Sequence, residues 1–413
     1  MVATSNSLTT KPSISTFIYG LVLSLLCLPA VVFTQAVLDA RDYEAEATKA
    51  YQQKRYADFL DNIQHAASLR PNHPRLLYHL AAAYALNEKQ DDALSTLRQL
   101  AGMGLIFPVA TNSDFQTLRN LPAFKEIVSE FDENKKPTVR SVHFLTVQEK
   151  GLVPESVAYD PVNKTFYLSS VYKREILSIT PEGNTHTFSQ SSDGLWSVLG
   201  MKIDSKRRLL WVCTAAHRQM SNSLPEDLGR SAIFKYDLKQ RKLIGKYEVQ
   251  DRTKPHFLGD LAINSAGDVF TTDSLTPAIY LLRLNDNNLQ TFMEGSPFVS
   301  PQGLDFTPDE KHLLMADYSQ GIFLIDLDSK KWSPITSTST LLGIDGIYFH
   351  NGLLLGIQNG VTPERVIELT LDKTLTRVEH FEIIEANNPI FEDVTLGVIV
   401  KNDFYFIANV SGG

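Results

Sequence analysis

The sequence predicts a mainly β protein: a six-bladed β-propeller over residues 138–413, preceded by a small all-α domain over 39–133. A two-strand unit predicts the propeller. It is clearest in GIDGIYFHNGLLLGIQNG from Gly343, where two apolar runs flank the turn His350-Asn351-Gly352. Related units begin at Pro154, Leu199, Leu258 and Pro301, with a degraded one at Thr395, and a two-strand unit recurring every forty to sixty residues or so marks one blade per copy. The all-α domain follows from the Ala-rich, charged texture that begins at Asp39 and lasts until Val139.

Residues 1–36 read as a targeting segment. Phe17 to Phe33 carries no charge, and Pro29 with Thr34-Gln35-Ala36 supplies the small residues of a cleavage site. Cleavage after Ala36 is the expectation, with an uncleaved membrane anchor over 17–34 as the alternative. Either way the folded part is exported, secreted or periplasmic. At 413 residues and 43% hydrophobic the chain can build two or three cores. A net charge of −8 argues against a nucleic-acid partner. Cys27 and Cys213 make no disulfide framework or metal pattern, and Cys213 sits in a strand as a small buried thiol.

Within 39–133, a shift of thirty-four residues superposes Ala47 on Ala81, Ala50 on Tyr84, Phe59 on Ala93 and Ile63 on Leu97. That is the tetratricopeptide period, with Pro71 and Pro74 separating the repeats. The segment resembles two tetratricopeptide repeats, capped by a third helix from Asp114 to Phe131. Such repeats recruit a protein partner, or else serve as a helical cap on the propeller. His65, His73 and His79 share no helical face suited to a metal.

After Lys135-Lys136-Pro137, Val139 to Val147 alternates as a lone strand of the kind that closes a propeller ring. Third strands are expected at Glu175–Thr180, Ala232–Leu238, Ala278–Leu284, Gly321–Leu327 and Arg365–Leu371. The chain's last residues leave the sixth blade short of strands.

PESVAYDP, LGMKID with LLWVCT, LGD with TTDS, PQGLDFTPD with ADYSQG, GIDGIY with IQNG, and Thr395-Leu396-Gly397 together resemble the SMP-30/gluconolactonase/LRE-like six-bladed propellers over nearly all of 142–409. Paraoxonases and strictosidine synthase-like proteins are more distantly similar. Aligning the blades on their first strands places Glu155, Leu199, Gly259, Gln302, Asp345 and Leu396 at one equivalent position around a central funnel. The resemblance implies that this ring holds a divalent metal through Glu, Asn, Asn and Asp. Glu155 and Asp345 match that pattern, whereas the two Asn positions are Gly259 and Gln302.

Two carboxylates and one amide oxygen suit a hard cation, Ca²⁺ above all, but make a thin shell, which Asp260 or Asp393 would complete. The resemblance further implies hydrolysis of lactone-like or ester substrates, with Asp345 as ligand and general base and Glu155 as ligand. The alternative is a non-catalytic propeller that binds a ligand or protein. His217 and His256 near the funnel are weak acid/base candidates, and Asp273 and Asp317 read as caps of loop amides. No Gly-x-Ser-x-Gly, phosphate loop or HExxH element is present in the sequence.

Overall fold

A computed structural model describes residues 39–410. The targeting segment, Cys27 and the anchor expectation for 17–34 lie outside the described residues; among the described residues no helix is long and apolar enough to cross a membrane. Four helices come first: α1 (Ala40–Gln52), α2 (Tyr56–Leu69), α3 (Pro74–Leu86) and α4 (Gln90–Ala101). The starts of α1 and α3, and of α2 and α4, lie thirty-four positions apart. So do Lys54 and Glu88, the left-handed residues at the two intervening turns. Asp39 opens α1 with a capping box, accepting from the Arg41 and Asp42 amides at 2.7 and 3.1 Å. Pro74 starts α3 at the position where a missing N–H costs nothing.

The expected single third helix is instead two elements, a 3₁₀ turn (Ser113–Leu118) and α5 (Pro122–Glu133). Pro122 cannot donate to the preceding turn, so the helix restarts there.

Five four-stranded antiparallel sheets follow. The first comprises β1 (Val157–Asp160), β2 (Thr165–Ser170), β3 (Glu175–Ile179) and β4 (Thr185–Thr187). The second comprises β5 (Ser197–Asp204), β6 (Leu209–Ala215), β7 (Ser231–Asp237) and β8 (Lys242–Glu248). The third comprises β9 (Leu258–Ile263), β10 (Val269–Asp273), β11 (Ala278–Leu282) and β12 (Gln290–Glu294). The fourth comprises β13 (Pro301–Phe306), β14 (His312–Asp317), β15 (Gly321–Asp326) and β16 (Trp332–Pro334). The fifth comprises β17 (Ile344–His350), β18 (Leu353–Gln358), β19 (Arg365–Leu371) and β20 (Val378–Ala386). A two-stranded sheet, β21 (Thr395–Val400) with β22 (Asp403–Ile407), ends the order.

The structure is therefore a propeller of five full blades, not the six expected, with two strands in the sixth sector. β21 packs beside both β17 and β1, and its Leu396 amide donates to the Glu155 carbonyl at 3.1 Å. Apolar layers between neighbouring sheets form the core, with Trp211, Phe234 and Tyr236 fully buried between blades.

The expected closing strand is also corrected. Val139 to Val147 forms no strand; its near neighbour Thr138 makes one bridge to Ala386, and Val142 is 87% exposed. Alternation in sequence supplied the pattern, but alternation specifies a face and not backbone pairing. This segment instead lays Phe144 against the rings of Phe166 and Tyr405, at 5.5 and 5.0 Å.

The helices dock on the fifth blade. Arg365 Nη1 donates to the Met103 carbonyl at 2.7 Å, Ile106 N donates to the Thr362 carbonyl at 2.8 Å, and Val361 packs into the helical core. Asn72 Nδ2 reaches the Ser337 carbonyl at 2.7 Å, and Arg70 bonds the Ser319 carbonyl.

Candidate functional site

The hydrogen-bond ladder between the first two strands slips in five of the six sheets. The breaks fall between Val198 and Met201, opposite Leu258–Leu261, between Pro301 and Leu304, between Ile344 and Gly346, and between Thr395 and Gly397. Those are the positions of the aligned ring residues. In the first sheet Ser169 Oγ replaces the ladder, taking the Glu155 and Ser156 amides at 3.1 and 2.8 Å. A bulge bends the strand and re-aims its side chains, which is how an otherwise regular inner strand offers polar groups to the axis.

The structure brings Glu155, Asp345 and Asp260 into one electrostatic neighbourhood. Burial first, then the charges of Asp345, Asp260 and Asp393, push the Glu155 carboxyl up to about 8. Burial, then Asp260, raises Asp345 to about 6, against the opposing hydrogen bond from Asn359. Among the described residues neither acid forms an ion pair with Lys, Arg or His. Half-buried carboxylates that repel one another take up protons more readily than free ones unless a cation joins them.

Gln302 adds an amide oxygen. Its Oε1 would lie 3.4 Å from a Cβ placed on Gly259, and its Nε2 is tied to Ser300 Oγ at 3.2 Å. The Gln302 side chain thus reaches the space beside Gly259, where the implied pattern has Asn and this chain has no side-chain oxygen.

Three residues beyond each ring position lies a lower tier: Ala158, Lys202, Ala262, Asp305, Tyr348 and Ile399. Lys202 Nζ stands 3.8 Å from Asp260 Oδ2 and 4.8 Å from the Tyr348 ring centre. Asp260 is 2% exposed, neither of its oxygens makes a hydrogen bond of ordinary geometry, and burial raises its pKa against the pull of Lys202. Asp305 accepts the Phe306 and Phe349 amides, each at 2.8 Å. Asp260 therefore belongs to the Lys202 tier. Asp393 is exposed at φ 54 and contributes the smallest of the three charge effects on Glu155.

The sequence reading missed Asn359, Lys202 and Tyr318. Asn359 Nδ2 donates to Asp345 Oδ2 at 3.0 Å and to the Val394 carbonyl at 2.9 Å, and Tyr318 O–H donates to Asn359 Oδ1 at 3.1 Å. Lys202 was reachable by extending the blade alignment three positions.

His256 is fixed between Asp273 Oδ2, at 2.6 Å, and the Asp251 carbonyl, at 2.8 Å, which leaves no ring nitrogen for acid/base work. Half-buried His217 packs edge-on to Phe257, and burial lowers its pKa. Asp273 caps the Phe257, Leu275 and Thr276 amides and Asp317 those of Val299, Ser300 and Ser319.

The donor set fits a hard cation in chemistry, with oxygen from two carboxylates and an amide. Among the described residues no three His, Cys, Asp or Glu side chains close on a single point, so the amide oxygen is needed to complete even a minimal shell.

No protein-family model and no curated protein sequence matches this chain. Solved structures resemble it at low identity. A gluconolactonase from Xanthomonas campestris is 15% identical with a TM-score of 0.46, over 63% of this chain and 84% of that one. A nidogen/laminin complex is 16% identical with a TM-score of 0.42, over 56% and 80%. A streptogramin B lyase is 14% identical with a TM-score of 0.44, over 66% and 80%.

Proposed function

We propose that this protein is a divalent-cation-dependent hydrolase of lactone-like or ester substrates, with Glu155, Gln302 and Asp345 as the ligand set and Ca²⁺ as the ion. The observation that carries the reading is the half-buried pair Glu155 and Asp345 at equivalent ring positions, whose carboxyls are both raised and lack a cationic side chain among the described residues. A bound Ca²⁺ would neutralise the pair and polarise a substrate carbonyl.

Asp345 is the general base. Asn359 fixes one of its oxygens and thereby its plane, leaving the other to take a proton from an attacking water. Water adds to the carbonyl carbon, the ring C–O bond breaks, and the proton held by Asp345 passes to the departing alkoxide. Glu155 and Gln302 orient the acyl end of the substrate. Asp260 and Asp393 act through charge from the flanks rather than as ligands.

Gly259 favours a second reading, a non-catalytic propeller that binds a ligand, because an oxygen donor is missing there. Under either reading we take β21–β22 as a shortened sixth blade and, on their thirty-four-residue spacing, the helix pairs as tetratricopeptide-like. They carry a cavity of about 240 Å³ lined by Tyr51, Tyr78, His79, Asn112 and Asp114, suited to a protein partner. Residues 1–36 direct export. Metal analysis of purified protein followed by a lactone and ester panel tests the choice: stoichiometric Ca²⁺ with turnover supports the hydrolase, and Ca²⁺-independent ligand binding without turnover supports the alternative.

A further inference from the structure

Arg365 is fully buried, without an acidic partner among the described residues. Its Nε donates to Gln358 Oε1 at 2.7 Å and its Nη1 to the Met103 carbonyl at 2.7 Å, while Nη2 has no hydrogen-bond partner. A desolvated guanidinium without a counter-charge is costly, and burial lowers its pKa to about 9. Propellers do not need such a residue at the start of a third strand; the equivalent residue in the third blade is Ala278 and in the fourth Gly321.

The Phe381 ring covers one face of the guanidinium, 5.3 Å from its carbon, and the two hydrogen-bond partners of Arg365 link it to other segments. Met103 belongs to the helical domain, where Gly104 takes φ +71 and its backbone lies so close that an added Cβ would meet Ile383 Cδ1 at 2.4 Å. Gln358 is fully buried too, and its Nε2 holds the Thr340 and Leu342 carbonyls at 3.1 and 2.7 Å. Those carbonyls belong to the approach to β17, which carries Asp345. Residue 359, next to Gln358, is the asparagine that holds Asp345 itself.

The connection 359–364 therefore has two working faces. Toward the helices, Val361 enters their core and the Thr362 carbonyl takes the Ile106 amide. Toward the axis, Asn359 binds Asp345, and Glu364 Oε2 accepts the Val394 amide at 3.0 Å. The helical domain and the axial acid thus share one short strap, clamped at its end by Arg365.

We propose that Arg365 is a positioning residue through which the docked helical domain holds the strap 359–364, and with it Asp345, in working geometry. The helical domain is then a structural effector of the axial site. This rests on the reading of Asp345 as a site residue. Coupling energies between sites are reciprocal, so cation binding on the axis also tightens the helix–strap junction.

The test uses the full chain with Arg365→Met, Arg365→Lys and, from the helical side, Gly104→Ala. Hydrogen exchange of the cation-free proteins is followed by mass spectrometry, and Ca²⁺ alone is titrated by calorimetry. The expected result is exchange about tenfold faster in 340–346 and 359–364 with the other blades unchanged. Ca²⁺ affinity falls about tenfold, and Arg365→Lys, which keeps one donor, recovers part of both. Unchanged exchange in 340–346 in both Arg365→Met and Gly104→Ala overturns the proposal, as does faster exchange spread evenly over the propeller. Should Arg365→Met fail to melt cooperatively, Gly104→Ala decides. A wild-type chain that binds no Ca²⁺ overturns the metal reading alone, because the exchange measurement still decides the coupling.

Discussion

Asn359 holds Asp345: one amide nitrogen bonds the carboxylate at 3.0 Å and, at 2.9 Å, the Val394 carbonyl from the neighbouring two-stranded sector. A residue outside the aligned ring thereby sets the plane of the acid proposed as general base. Removing a hydrogen bond to a metal ligand typically costs about 10–100-fold in affinity or activity. Asn359→Ala should lower lactone turnover by about that factor, whereas Asp345→Asn should abolish it with the fold retained. Steady-state rates and far-ultraviolet dichroism check both, and near-normal turnover in Asp345→Asn would place the base elsewhere.

If Ca²⁺ binds the folded state alone, a concentration of about a hundred times its Kd should add roughly 2.7 kcal/mol of stability. Thermal melts in Ca²⁺ and in chelator measure this. Identical midpoints in wild type, with the shift absent equally from Glu155→Gln, would eliminate the site.

The axial acids and His73 should give pH dependences of opposite sign in cation-free protein. Glu155 and Asp345 have folded pKa values raised to about 8 and about 6, so the folded state binds protons more tightly and stability falls as pH rises from about 4.5 to 8. His73 is lowered to about 4, chiefly by burial, so the unfolded state binds the proton more tightly. Its stabilising contribution is complete above its unfolded value near 6.5 and is lost as pH falls toward 4. Protonation would also remove the ring nitrogen that caps the Leu76 amide. Melts of Glu155→Gln and His73→Asn against pH separate the two effects; a slope unaltered by either substitution would refute its assignment.

Arg208 and Asp160 tie the first blade to the second through a two-point ion pair, with Nη2 2.6 Å from Oδ2 and Asp160 fully buried. The Arg208 hydrogen bonds lower the Asp160 pKa despite its burial. Removing one partner strands a buried charge, so Asp160→Ala should cost about 3–5 kcal/mol, while replacing both by apolar residues should cost much less. Denaturant unfolding of the single and double variants checks this.

Much of the propeller was legible because each inner strand repeats a residue pattern, and the ring position found by aligning those strands coincides with the slips in the ladders. The axial pair Glu155 and Asp345 was legible for the same reason. The closing strand was misread because alternation specifies a face, not a partner; Val139 to Val147 alternates yet docks on the sixth sector through Phe144 rather than through backbone pairing. Asn359 was hidden because its contact to Asp345 crosses a hairpin and depends on loop shape. Lys202 was hidden because a lysine in a strand ordinarily faces solvent, and only the axial geometry turns it toward Asp260.

The sector with two strands lies between β17, which carries Asp345, and β1, which follows Glu155. The thinnest part of the wheel is therefore the spacer between its two principal acids. Any ligand held by both acids would thus bridge that spacer, joining the fifth blade to the first across the sector with fewest strands.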